Sequence, residues 1–418
     1  MVRRLAACAL VAAACGTDDT RAGDPFPIHV DRAGGALIAQ VGIGDDAPVT
    51  AVIDVMSPLT VFDAPLGAAV RRRGVDLALY GHRSATDSTL IARARFAATG
   101  LVLHPCETAD PCTVGSPSAA TPIGAVIGGD TLHGDALRIR AADDVIAVLP
   151  DVAGDGTARD ALCDAEVLSP FYGGGTLVVG GTELAFGGWR PTLSVCLSPD
   201  PTATDPTARG VDAAVVLSTG IGPSILAQSR YAIWRQATGA PTLDELPTAD
   251  LLLPSGLLTG KLAELDGLAV VGAAAAARDA CGEVAAHHLL AERDCTAADG
   301  ASCPCTGETF CSVPSVVELD RRFQALIVPD DTPLLQALRT ELRPAQPEID
   351  GVLGLDALDT TELDVDYPHN RLLLRCAGAG CTARPTLRDR ASRPIVAACV
   401  AQAVPAVDAG VDAPVDAP

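Results

Sequence analysis

The chain has 418 residues, 48% hydrophobic and 20% charged, with 40 glycines and 31 prolines. That is apolar material enough for two or more domains of about 100–200 residues each, which excludes wholesale disorder, and the turn formers favour a β architecture over a helical bundle. A net charge of −22, with Lys261 the single lysine, repels phosphate backbones, so no nucleic-acid partner is expected.

In chain order, the first signal is a compartment signal. Arg3 and Arg4 precede an apolar run, Leu5 to Ala14, and the small residues Ala12, Ala13 and Ala14 lead into Cys15 and Gly16. This resembles a bacterial lipoprotein signal in which Cys15 becomes the lipidated first residue. Ala12 stands where leucine is more usual, and Leu5-Ala6-Ala7-Cys8 fits the short motif better but leaves almost no apolar region before it. An ordinary secretory signal with incidental cysteines is the other reading. Both imply export, and a lipid on Cys15 implies a membrane-anchored protein of the cell envelope or surface. No other segment has the roughly 20 apolar residues of a membrane-spanning helix.

After a tether at 16–26, the chain repeats itself. Val41-Gly-Ile-Gly44 and the strand Val49 to Ile53 lead into a polar turn, Asp54-Val55-Met56-Ser57, and a second apolar run to Phe62. Strand-like segments follow around Leu79-Tyr80-Gly81 and from Thr89 to Val102. Then come the glycine motif Ile123-Gly-Ala-Val-Ile-Gly-Gly-Asp-Thr-Leu132 and an alternating segment, Ala136 to Val148. The second half has the same order. Ala213 to Leu217 runs into Ser218-Thr219-Gly220 and on to Leu226, and Gly260 to Val271 reads as strand. Ile349-Asp-Gly-Val-Leu-Gly-Leu-Asp-Ala-Leu358 matches the first glycine motif, and Glu362 to Leu374 alternates after it. The expected organisation is a leader (1–15), the tether (16–26), an N-terminal β lobe (27–192), a C-terminal β lobe (193–399) carrying a cysteine-rich insertion (279–313), and a low-complexity tail (400–418).

Without Cys8 and Cys15, 12 of the 14 cysteines remain. In an exported chain these are read as disulfides, with Cys106–Cys112 and Cys376–Cys381 the short-range candidates and Cys163–Cys196 a longer one. The insertion lacks the pairwise spacing of a structural zinc site, and Asp151, Asp155 and Asp160 miss the calcium-loop spacing, so neither metal nor cofactor is expected.

Two β lobes, each with a strand–turn–strand and a later glycine motif, resemble the pepsin-like aspartic peptidases. Gly173 to Thr182 resembles the segment linking that family's lobes, and Leu363 to Leu372 its closing strand. The resemblance spans roughly residues 35 to 375 and implies an all-β fold with two lobes related by a pseudo-two-fold axis. In the family, each lobe presents an Asp-Thr-Gly turn. The two carboxyls share one proton, so one takes a proton from water while the other donates to the scissile carbonyl. Here Asp54 keeps its carboxylate but Thr and Gly are lost around it, with Ser57 left as turn support. Ser218 replaces the second carboxylate, while Thr219 and Gly220 are kept. Met56, in the place of glycine, is expected to reshape its turn. Tyr80 stands near the start of the segment corresponding to the family's flap, although a tyrosine packed on a strand edge fits as well.

These departures lead to a catalytically silent, monomeric, membrane-anchored protein whose inter-lobe cleft takes a peptide or protein ligand. Two alternatives remain open: an active aspartic endopeptidase working from Asp54 with water, and a β-rich surface adhesin unrelated to peptidases. Ser218 lacks the Gly-x-Ser-x-Gly setting of a serine nucleophile.

Overall fold

In the computed structural model of the chain, the described residues are 26–29, 31–33, 35–43, 47–63, 75–84, 87–96, 101–102, 112–133, 136–149, 165–168, 175–179, 182–187, 189–197, 211–271, 316–342, 348–369 and 371–384. The leader with Cys15, the tether up to residue 25, Cys106, Asp151, Asp155, Asp160, Cys163, the cysteine-rich insertion and the tail lie outside them.

Strands dominate, and they form two eight-stranded sheets, one from each half of the sequence. In the first, Val49–Ile53 runs antiparallel to Ala36–Ile43 and parallel to Ala125–Ile127, with Ile53 opposite Ile127. In the second, Val211–Leu217 runs antiparallel to Thr192–Leu197 and parallel to Gly351–Leu353, with Leu217 opposite Leu353. The strand after each turn, Val61–Phe62 or Ser224–Ala227, then pairs antiparallel with that same parallel neighbour. The duplication in the sequence is therefore a duplication of topology, down to the register. Ala125–Ile127 and Gly351–Leu353 are buried along their whole length. That suits the unbroken apolar runs of the glycine motifs, because a strand covered on both faces needs no polar alternation.

A third, six-stranded sheet mixes the halves. Its order is Phe26–His29, Val145–Leu149, Ala136–Arg140, Thr361–Asp366, Arg371–Cys376 and Ala165–Leu168. The alternating segments expected as single strands are thus hairpins. Ala136–Arg140 turns through Ala141–Asp143 and the left-handed Asp144 (φ 52°) into Val145–Leu149, and Thr361–Asp366 turns through Tyr367–His369. A period-2 pattern is blind to a tight turn that resumes in register. The expected linking segment also folds as a hairpin, Gly175–Val179 on Thr182–Phe186.

Small side chains fill the centre, as the 3% aromatic content implies, with Phe62, Tyr231 and Trp234 the largest that are fully buried. Tyr231 and Trp234 lie three apart on the helix Gln228–Thr238, so both face inward, and Gly239 ends that helix at φ 70°. Cys376 and Cys381 form the expected disulfide. Cys196 is also disulfide-bonded.

The lobes touch through backbone. Gly35 takes φ 86°, and a Cβ there would sit 2.2 Å from the Gly222 Cα, so no other residue fits that approach without displacing the second lobe. Leu37 N–H donates to Thr219 O at 2.9 Å. Gly115 and Leu252 exchange N–H···O bonds of 3.1 and 2.8 Å as an isolated antiparallel bridge. In the mixed sheet, Arg138 and Asp364 face each other across the seam and pair through two hydrogen bonds of 2.8 Å, with the carboxylate 4% exposed.

Removing one member of a buried pair strands the other's charge. Asp364→Ala is expected to cost about 3 kcal/mol in denaturant unfolding. Thr259→Ala, which breaks an exposed bond to Asp250, is expected to change stability by less than about 0.5 kcal/mol.

Candidate functional site

Each parallel strand pair delivers a turn to the space between the lobes. Asp54 N–H donates to Ile127 O at 3.0 Å, and Ser218 N–H donates to Leu353 O at 2.9 Å. The same backbone bond therefore seats both residues. Two residues on, the likeness continues: Met56 N–H donates to Asp54 Oδ1 at 3.0 Å, and Gly220 N–H donates to Ser218 Oγ at 3.1 Å. Met56 thus leaves the turn's bonding intact, contrary to the expected reshaping. The reason is visible in the backbone: Met56 is not among the described residues with positive φ, so the position admits a side chain.

The two turns meet directly. Ser218 Oγ donates to Asp54 Oδ1 at 2.9 Å, and the Thr219 and Gly220 amides approach the same oxygen at 3.2 Å. With the Met56 amide, Oδ1 accepts four donors. Among the described residues Oδ2 accepts none, and it is not one of the buried, unpartnered atoms, so it is the open oxygen of the carboxyl. Gly220 belongs here for lack of room, since a Cβ would lie 2.8 Å from Asp54 Oδ2.

Thr219 supplies the brace between the turns, but from one side only. Its hydroxyl donates to Ile53 O at 2.6 Å and accepts from Val55 N–H at 3.1 Å. Val55, at the matching position of the first turn, has no hydroxyl to return the bond. Ser57 supports its own turn, donating through Oγ to Leu59 O at 2.7 Å, while its carbonyl accepts from Gly129 N–H at 2.7 Å. Tyr80 lies on the strand Val75–Ser84, which forms a hairpin with Asp87–Phe96 and pairs with Ala36–Ile43, placing its backbone opposite Gln40. Its side chain is outside the described part of the structure.

Burial pushes the Asp54 carboxyl above its ordinary value of 3.8. The Met56 amide, the Ser218 hydroxyl, the Gly220 amide and the Arg190 guanidinium pull the other way without cancelling the desolvation. The Tyr367 hydroxyl is likewise pushed up, first by burial and then by the charge of Asp54.

Three neighbours were not foreseen from the sequence. Arg190, in the segment entering the second lobe, donates through Nη1 to Met56 O and pairs with both Glu341 oxygens at 2.5 and 2.8 Å. Tyr367 belongs to the turn of a hairpin that read as one strand. Below the Asp54 turn, Asp130 Oδ1 accepts from Thr60 N–H at 2.7 Å, and the Thr60 and Thr131 hydroxyls lie 2.5 Å apart. The glycine motif around Asp130 was the available signal, but nothing local showed what it would touch. Among the described residues there is no cluster of three metal-ligating side chains.

No protein-family model matches the sequence, and no curated protein does. Among solved structures the chain is similar to the aspartic proteinase of Irpex lacteus, at 11% identity and a TM-score of 0.36, with 85% of this chain and 98% of that one covered. It is also similar to basic 7S globulin from soybean, at 10% identity and a TM-score of 0.35, covering 85% and 94%. The structure itself shows an all-β fold of two lobes with duplicated topology and facing turns, and a shared fold says nothing by itself about chemistry.

A carboxyl whose folded pKa lies above its unfolded one favours the folded state below the unfolded value and loses that contribution as pH rises through the folded value. Asp54→Asn removes the titration. The stability of the native chain relative to Asp54→Asn is therefore expected to fall as pH rises from below 3.8 towards neutrality, measured by urea unfolding at each pH. A difference independent of pH would contradict the raised pKa.

Proposed function

We propose that this chain is an exported protein, lipid-anchored through Cys15, with a pepsin-like fold that performs no proteolysis and an inter-lobe cleft that binds a peptide or protein ligand. One observation carries the loss of activity: the Ser218 hydroxyl, standing where a second carboxyl would, donates its proton to Asp54 Oδ1. Peptide hydrolysis in this fold needs one carboxyl to take a proton from water while another gives one to the carbonyl oxygen. A serine hydroxyl titrates far outside that range and is already committed as a donor. Asp54 also lacks the like charge that would split the titration of a pair.

What remains is a binding feature. Asp54 holds one oxygen saturated and the other open, between two lobes, in a setting that favours a ligand offering hydrogen-bond donors. The backbone amides of an extended peptide are such donors. Export and the anchor rest on the leader sequence. The chain is read as a monomer with no resident cofactor.

A second reading keeps one specific observation in its favour. Asp54 and Ser218 do face each other at hydrogen-bond distance, and the carboxyl of Asp54 is raised, as a general acid or base requires. An endopeptidase working from Asp54 and water would then cut peptides.

Incubating a peptide library with the native chain and with Asp54→Ala, between about pH 3 and 7 where carboxylates titrate, separates the two. No cleavage, or cleavage indifferent to Asp54, is expected. Cleavage abolished by Asp54→Ala would establish the endopeptidase. For the anchor, mass spectrometry of the N-terminal peptide is expected to show an acylated Cys15, lost in Cys15→Ser. An unacylated terminus, or cleavage elsewhere, would leave a protein that is exported without an anchor.

A further inference from the structure

Met56 stands in the first lobe's turn, two residues from Asp54, yet it does not join the first lobe's apolar core. It is 9% exposed and belongs to a cluster whose other buried members all come from the second lobe, among them Val216, Ile221, Ile225, Leu335 and Leu338. The position that would be glycine in an Asp-Thr-Gly turn therefore carries a side chain across to the opposite lobe.

The same residue is held a second time, through its carbonyl. Arg190 donates to Met56 O, and its remaining donors take both carboxylate oxygens of Glu341 at the end of the second lobe's helix Pro333–Glu341. The Arg190 side chain is 14% exposed and that of Glu341 12%, so the pair is largely shielded from competing water. The neighbouring Trp189 stacks on His133 of the first lobe, with ring centroids 4.4 Å apart, which fixes the segment from which Arg190 reaches.

We propose that Met56, with Arg190 and Glu341, is a latch that holds the lobes against each other beside Asp54. Three different interactions converge on one residue: apolar burial, a carbonyl capped by a guanidinium, and an ion pair that orients the cap. The latch is a property of the resting protein and does not depend on what the cleft binds.

The chain has two methionines, Met1 and Met56, so methyl labelling of methionine yields at most two signals, and Met56→Leu assigns them. In the native chain, the Met56 methyl is expected to show nuclear Overhauser contacts to second-lobe methyls such as Ile221 or Leu335. Contacts to first-lobe methyls alone would overturn the proposal. Hydrogen exchange then tests whether the seat holds the lobes. Met56→Ala is expected to speed exchange about tenfold or more at the Val55, Thr219 and Gly220 amides, all bonded across the lobes, and to leave the strand amides of Val52 and Val195 unchanged as the check on folding. Unchanged exchange at the three cross-lobe amides would also overturn it. If Met56→Ala does not fold, the contacts in the native chain decide alone.

Discussion

A carboxylate that is 8% exposed must find its hydrogen bonds inside the protein, and Asp54 cannot find them within its own lobe. Among the described residues the Met56 amide is the only local donor, and the other three, from Ser218, Thr219 and Gly220, come from the second lobe. The carboxyl therefore favours one docking of the lobes over all others. Every other cross-lobe feature agrees with that docking, including the Thr219 hydroxyl between Ile53 O and Val55 N–H, the glycine-to-glycine contact of Gly35 with Gly222, and the Arg138–Asp364 pair in the mixed sheet.

The same arrangement explains how the two turns can meet around a single carboxyl. In a paired site, two like charges must share a proton, which destabilises the docked state unless the proton is present. Ser218 replaces that repulsion with a neutral donor. It keeps the backbone bond of its position, to Leu353 O, and its hydroxyl accepts from Gly220 N–H just as Asp54 Oδ1 accepts from Met56 N–H. The two turns therefore share one geometry although only one of them carries a carboxyl.

Around this centre, the two turns carry different parts. The second has the threonine that braces and the glycine that makes room. The first has the acid and Met56, whose side chain packs with the partner lobe. The hydroxyl brace is therefore one-sided, and on the other side apolar contact and the Arg190 bridge to Glu341 tie the lobes. Tight coupling of the lobes and a single carboxyl thus occur together in one small region.

Much of this was legible in the residues. The repeated order of strand, turn and glycine motif predicted two equivalent lobes, because register in a buried strand pair follows directly from apolar pattern and turn position. The spacing of Cys376 and Cys381 likewise announced their disulfide. Other features could not be read there. The hairpins at 136–149 and 361–376 looked like single strands, since a tight turn that resumes the alternation leaves no trace in the pattern, and the mixing of both halves in one sheet depends on which edges meet. Met56 looked like a disturbance of its turn, Tyr367 lay within a segment read as a closing strand, and nothing singled out Arg190. Their roles depend on contacts between segments more than 100 residues apart, and no local pattern encodes such a contact. The sequence by itself determined the fold class and the duplication, both properties of short periods and their order. Only the tertiary structure decided where the open oxygen of Asp54 lies, which donors saturate the other, and that Met56 crosses to the second lobe, because these follow from how two finished surfaces pack.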